Sequence, residues 1–190
     1  MIPRPASTVV LVREFRQQIE TLLLLRNSKM VFEGGTWVFP GGKIEQSDYP
    51  DSSADEFEAA RHAAVRETHE ESGIQLCPES LIHIAHWTTP MGPPRRYATW
   101  FFLCALTEPV TIQVDDDEIL DYQWLTPAEA LRRFEAGEIR LPVPTRETLV
   151  SLLPHTSLER LCQVMQDADI HVFPPDSEHY VPPILPRSLG

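Results

Sequence analysis

A chain of 190 residues with 42% hydrophobic residues has room for one folded domain with a real core, and its composition is not that of a disordered protein. The formal net charge of −12 excludes a non-specific grip on nucleic acid, which depends on clustered Lys and Arg. No apolar run approaches the roughly 18 residues of a membrane-spanning helix, so no membrane partner is expected. The N-terminus, Met1-Ile2-Pro3-Arg4-Pro5, lacks the shape of a signal peptide, and Cys77, Cys104 and Cys162 are odd in number and widely spaced. That usage suits a reducing, cytoplasmic setting better than a disulfide framework.

Ala6 to Arg13 and Glu20 to Arg26 are β-rich runs joined by a polar turn, which predicts a hairpin. The four leucines of the second run predict a strand buried on both faces. Trp37-Val38-Phe39 is a short strand broken by Pro40-Gly41-Gly42. Ser53-Ala54-Asp55-Glu56 has the form of a capping box with Ser53 as N-cap, opening an Ala-rich helix that Gly73 stops. Leu81 to Thr88, Arg95 to Leu106, Val110 to Val114 and Ile119 to Leu125 read as strands, and Asp115-Asp116-Asp117-Glu118 as an acidic loop. Thr126-Pro127-Ala128-Glu129 opens a helix ending near Gly137. Further helices are expected at about Arg146–Leu153 and Leu158–Asp167, then a Pro-rich extended tail. The fold class is α/β, a mixed sheet flanked by helices. One domain over residues 5–155 is expected, with 156–190 packed on it as a helix and extended tail.

The helix ending at Ser72 carries the chemistry. Glu67, Glu70 and Glu71 stand at i, i+3 and i+4, so their carboxylates share one face. Like charges at that spacing repel, and they sit where the helix macrodipole is already negative. A divalent cation relieves both penalties, and carboxylate oxygens suit Mg²⁺ or Mn²⁺. A solvated acidic face is the plainer reading of such a cluster taken alone. An acidic protein must also meet an anionic phosphorylated substrate through bound cations or a few local arginines. The histidines offer no HExxH pattern, and His83 and His86, three apart on a strand, are expected on opposite faces. Trp37, Trp87 and Trp100 are expected in the core.

Gly42, Glu58 and the run Arg66-Glu67-Thr68-His69-Glu70-Glu71-Ser72-Gly73-Ile74 together resemble the Nudix box of hydrolases that act on nucleoside diphosphates linked to another moiety. Two departures stand out: fifteen residues, not five, separate Gly42 from Glu58, and Thr68 replaces an aliphatic residue. The ten extra residues fall within the stretch from Gln46 to about Phe57, which is polar and can bulge out as a loop without disturbing the helix. The resemblance implies an α/β/α sandwich and a hydrolase using Mg²⁺ or Mn²⁺ held by Glu67, Glu70, Glu71 and the Gly41 carbonyl. Glu70 and Arg66 join the catalytic set, Arg66 as an ion-pair partner of Glu58. Glu118, six residues before Trp124, matches the offset at which MutT-like relatives bring a glutamate to the metals, which makes it the candidate base against a solvated loop charge. Arg95 and Arg96 are candidate phosphate clamps. Arg26 and the following Gly35-x3-Phe39-Pro40-Gly41-Gly42 are similar to the extra signature of coenzyme A diphosphatases, with Asn27 and Val31 departing from it. The implied substrate is a small nucleoside diphosphate derivative, coenzyme A or an acyl derivative first, with ADP-ribose, NADH or a dinucleoside polyphosphate as alternatives. A homodimer is compatible with this reading. Rival classes are a nucleotide sensor of the same fold, which usually carries a damaged glutamate set or a DNA-binding domain, and an isomerase, for which no cysteine lies suitably near the box.

Overall fold

A computed structural model describes residues 2–30, 33–50, 55–93 and 95–180. Eight strands form one mixed sheet: β1 (Arg4–Phe15), β2 (Gln18–Arg26), β3 (Trp37–Val38), β4 (Gly41–Lys43), β5 (Ile82–Thr88), β6 (Tyr97–Leu106), β7 (Ile119–Leu125) and β8 (His171–Phe173). The main order is β3-β2-β1-β6-β5-β8, with β4 on β1 and β7 on β2. β1·β6 and β5·β8 are parallel, and the other pairs are antiparallel.

Period-two alternation decides the layering. Val9, Leu11, Leu22, Leu24, Phe102 and Cys104 face α1 (Glu56–Ser72), whose Ala59, Ala60, Ala63 and Ala64 are small enough to let the helix lie close to the sheet. Val10, Val12, Leu23, Phe101 and Leu103 face the other way. There they meet residues of α2 (Pro127–Glu135), α3 (Val143–Leu152) and α4 (Leu158–Asp167). The result is the expected α/β/α sandwich, and Leu22, Leu23 and Leu24 of β2 are buried on both faces as their run implied, with Leu25 partly buried.

Several local expectations are corrected. The α1 N-cap is Asp55, which accepts from the Phe57 and Glu58 N–H groups at 3.0 and 3.3 Å; Ser53 lies outside the described residues. Residues 110–114 form no strand. Val110, Ile112 and Val114 pack against the α1-side core, and Gln113 N–H donates to Ser72 O at 2.9 Å, so this segment closes the end of α1 instead of joining the sheet. A bulge between His83 and Ala85 places both Ile84 and Ala85 in the core away from α1. It therefore turns His83 and His86 to the same side, where both rings meet Trp100 at 4.9 and 5.1 Å. The C-terminal segment is only partly extended: β8 adds to β5 and a 3-10 turn follows at Glu178–Tyr180, while Pro182, Pro183 and Pro186 lie outside the described residues.

Candidate active site

β4 and the last two turns of α1 meet at the two glycines. β4 is pressed onto β1 by the pairs Thr8↔Gly41 and Ser7↔Gly42. A Cβ on Gly41 would run into Ser7 O of the neighbouring strand, so only glycine permits that approach, and one on Gly42 would displace the Glu67 carboxylate. Glu71, with 5% of its side chain exposed, accepts from Gly41 N–H at 2.9 Å. Burial pushes its carboxyl up to about 8 against the opposing pull of that N–H and of Arg26. Glu67 is also pushed up by burial, while Glu70 stands 56% exposed at the rim. Thr68 fills its aliphatic slot fully buried, with Oγ1 lacking a partner among the described residues.

Arg66 does not pair with Glu58, which instead accepts from Arg61 at 2.9 Å. Its Nε and Nη2 take the two oxygens of Asp48 at 3.0 and 2.9 Å, Nη2 also reaches Lys43 O at 3.0 Å, and Nη1 reaches Glu67 and Glu70 at 2.9 and 3.2 Å. These bonds hold the guanidinium strongly in its charged form. Asp48 has only 4% of its side chain exposed and also accepts from Glu45 N–H at 2.7 Å. The start of the extra segment is thus part of the site and not a loop on its rim. The local cue for this was Arg66 itself, which needed a buried acid that the box alone did not supply.

Arg26 stands over the other side of the cluster, with Nη1 3.6 Å from Glu71 and Nη2 3.9 Å from Glu118. Its Nε is buried without a partner among the described residues. Glu118 is positioned by Asp115, whose Oδ1 accepts from the N–H groups of Asp117, Glu118 and Ile119 at 2.8–3.0 Å. Asn27 pins the same loop, its side chain donating to Asp117 O and its N–H to Glu118 O, each at 2.8 Å. The residue that departs from the coenzyme A signature thus joins the end of β2 to the acidic loop; Val31, the second departure, lies outside the described residues. In this arrangement no three acidic, His or Cys side chains among the described residues converge on one ion-sized point. Arg66 and Arg26 draw their carboxylates to either side.

Arg26, Gly41, Gly42, Arg66, Glu67, Glu70, Glu71 and Glu118 line a cleft of about 600 Å³ that continues away from α1 across the sheet. Trp87 on β5 lies two strands from the β1 residues that carry β4, about 10 Å at ordinary strand spacing. There the lining becomes Phe39, Trp87, Tyr97, Phe101, Pro142, Pro144 and Tyr180, with Arg95 at the rim. Arg96 is not in the cleft: it is buried, with Nε donating to Thr89 O and Pro90 O at 3.1 and 3.0 Å, so it fastens the β5–β6 turn and is no phosphate clamp. Trp37 and Trp87 are core residues as expected, while Trp100 stays partly exposed. Tyr180 came from a stretch read as a surface tail. Burial, assisted by Glu33, pushes its hydroxyl up to about 12. No described helix is long and apolar enough to cross a membrane.

The chain resembles nudix hydrolase 7 of Caenorhabditis elegans, 28% identical over 176 residues, covering 74% of this chain and 57% of that protein. It is 25% identical over 246 residues to acyl-coenzyme A diphosphatase NUDT19 of Xenopus laevis, covering 81% of this chain and 62% of that one. It therefore spans less than two thirds of either relative. Among solved structures, a NUDIX hydrolase from Alicyclobacillus acidocaldarius shares the fold with a TM-score of 0.76 at 24% identity, covering 92% of this chain and 99% of that one. The NUDIX domain family matches residues 3–143, taking in the glycines of β4, all of α1 and the Asp115–Glu118 loop. With most of its length inside that match, the chain belongs to the NUDIX domain family.

Proposed function

We propose that the chain hydrolyses the diphosphate linkage of a nucleoside diphosphate derivative, with coenzyme A or an acyl derivative as substrate. The observation that carries this reading is the burial of Glu67 and Glu71 on the floor of a 600 Å³ cleft between Arg26 and Arg66. Buried carboxylates whose charged form is disfavoured demand cationic partners, which stability alone would not select. The donor set fits a hard divalent cation. Glu67, Glu70, Glu71 and the Gly41 carbonyl would hold Mg²⁺ or Mn²⁺, which neutralises phosphate charge and polarises the bridge.

The chain's own residues account for the rest of the reaction. Glu118, fixed at the backbone by Asp115 and Asn27, accepts a proton from the attacking water. Arg66, locked by Asp48, positions Glu67 and Glu70. Arg26 and Arg95 face the cleft from two sides and are placed to bind the diphosphate oxygens. The choice of coenzyme A rests on the Arg26-to-Gly42 spacing and on the activity named for the Xenopus laevis relative.

The test is a panel of coenzyme A, an acyl-coenzyme A, ADP-ribose, NADH and a dinucleoside polyphosphate, each with Mg²⁺ or Mn²⁺. Cleavage of the coenzyme A diphosphate into two phosphomonoesters is expected, and it should stop in excess EDTA and return with added metal. Turnover that persists after verified metal removal would overturn the assignment. Tight binding of a panel member without cleavage would make the protein a sensor instead.

A further inference from the structure

The apolar end of the cleft is completed by Tyr180, from a segment that follows the NUDIX match, residues 171–180. β8 pairs in parallel with β5 through Ala85↔His171, His86↔Val172 and Trp87↔Phe173. Phe173 then lies flat on Trp87, ring centroids 3.6 Å apart at 7°. Tyr180 meets the Trp87 ring edge-on at 5.6 Å and His179 meets it at 6.1 Å. The turn is fastened at one more point, where His179 Nδ1 sits 3.2 Å from Glu147 of α3. Among these residues it is Trp87 and Tyr180 that line the cleft, so the segment ends as part of the cleft wall.

We propose that this segment, closed on Trp87, is a specificity wall that binds an uncharged aliphatic moiety attached to one side of the diphosphate, with Tyr180 as its principal contact; this rests on the hydrolase reading above. Three observations favour an aliphatic group over a second phosphate or a base stacked on Trp87. The Trp87 face is already taken by Phe173, and the residue is only 2% exposed, so it offers no platform on which a base could stack. Pro142 and Pro144 add saturated ring surface beside Tyr180. Glu33 lies near enough to act on the Tyr180 hydroxyl, so a second phosphate group there would meet an acidic side chain.

The experiment uses the full chain and measures binding of coenzyme A, octanoyl-coenzyme A and ADP-ribose by calorimetry in EDTA, where cleavage plays no part. Turnover of the same compounds is measured separately with Mg²⁺ and Mn²⁺. The octanoyl chain is expected to tighten binding about tenfold over coenzyme A, the worth of roughly two fully buried methylenes. Tyr180→Ala should reduce that ratio to about twofold and Tyr180→Phe should keep it, with ADP-ribose unaffected by either. A wild-type ratio near one overturns the wall, even if Tyr180→Ala fails to fold. So does a Tyr180→Ala protein that binds all three more weakly by the same factor. A ratio that is present and lost on mutation, without turnover of any compound, keeps the wall and removes the hydrolase reading. Turnover without the ratio does the reverse.

Discussion

The two ends of the cleft are held together by opposite means. At the charged end, the buried Glu71 and part-buried Glu67 carboxylates are tolerated because Arg66, Arg26 and Gly41 N–H face them. At the apolar end, Phe173, Trp87 and Tyr180 are held by ring packing and by one added strand. The charged end is expected to respond to pH and to cations, whereas the apolar end is expected to respond mainly to changes of shape. A fold that joins them on one sheet can change its reacting group and its choice of substrate separately.

The largest effect expected at the charged end is on rate. Glu118→Gln should lower kcat by roughly 10²–10⁴-fold with little change in KM, because a proton acceptor for water adds no ground-state grip. Asp117→Asn is the control: it is adjacent and carries the same change of charge, so equal losses in both would mean the loop acts only through its field.

Next in size is Asp48→Ala, which leaves Arg66 without its bidentate partner inside a part-buried network. It should destabilise by about 3 kcal/mol, and activity should fall with it as Glu67 and Glu70 lose their anchor. Denaturant unfolding checks this, and a variant of unchanged stability would return the segment from Gln46 to a surface role. At the apolar end, Phe173→Ala should cost about 2 kcal/mol, since the ring is half-buried. Unlike Asp48→Ala, its stability loss should be the same with and without Mg²⁺. A metal-dependent loss there would break the division between the two ends.

The effect that is smallest per step is a pH slope. Glu71 releases its proton near 4.5 when unfolded and near 8 when folded, so folding takes up a proton between those values. Without divalent ion, stability should therefore fall as pH rises through that window, by at most about 1.4 kcal/mol per pH unit. Glu71→Gln or added Mg²⁺ should flatten the slope in melting curves, and a slope unchanged in Glu71→Gln would assign it to another group.

What could be read in advance was what depends on near neighbours. The cluster at Glu67, Glu70 and Glu71, the Gly73 stop and the two-faced leucine strand all follow from spacings of a few residues. The parts that escaped are long-range. Asp48 meets Arg66 across 18 positions and a segment the box pattern does not contain, and spacing pointed to Glu58 instead. The 110–114 run has strand-forming residues, but α1 needed its last carbonyl covered and took it. The bulge in β5 reversed the histidines because a strand's period of two holds only while the ladder is regular. Tyr180 sits among prolines whose composition signals an extended chain and says nothing of where it docks.

The pairing of Asp48 with Arg66 and of Asp55 with the first turn of α1 also marks the route by which the extra segment could be acquired or exchanged. Asp48 ties the chain to Arg66 of α1, and Asp55 caps the first turn of the same helix, so the chain is fixed at a described residue on each side of residues 49–54. Protein engineers look for such a place when splicing in a reporter or a second binding module.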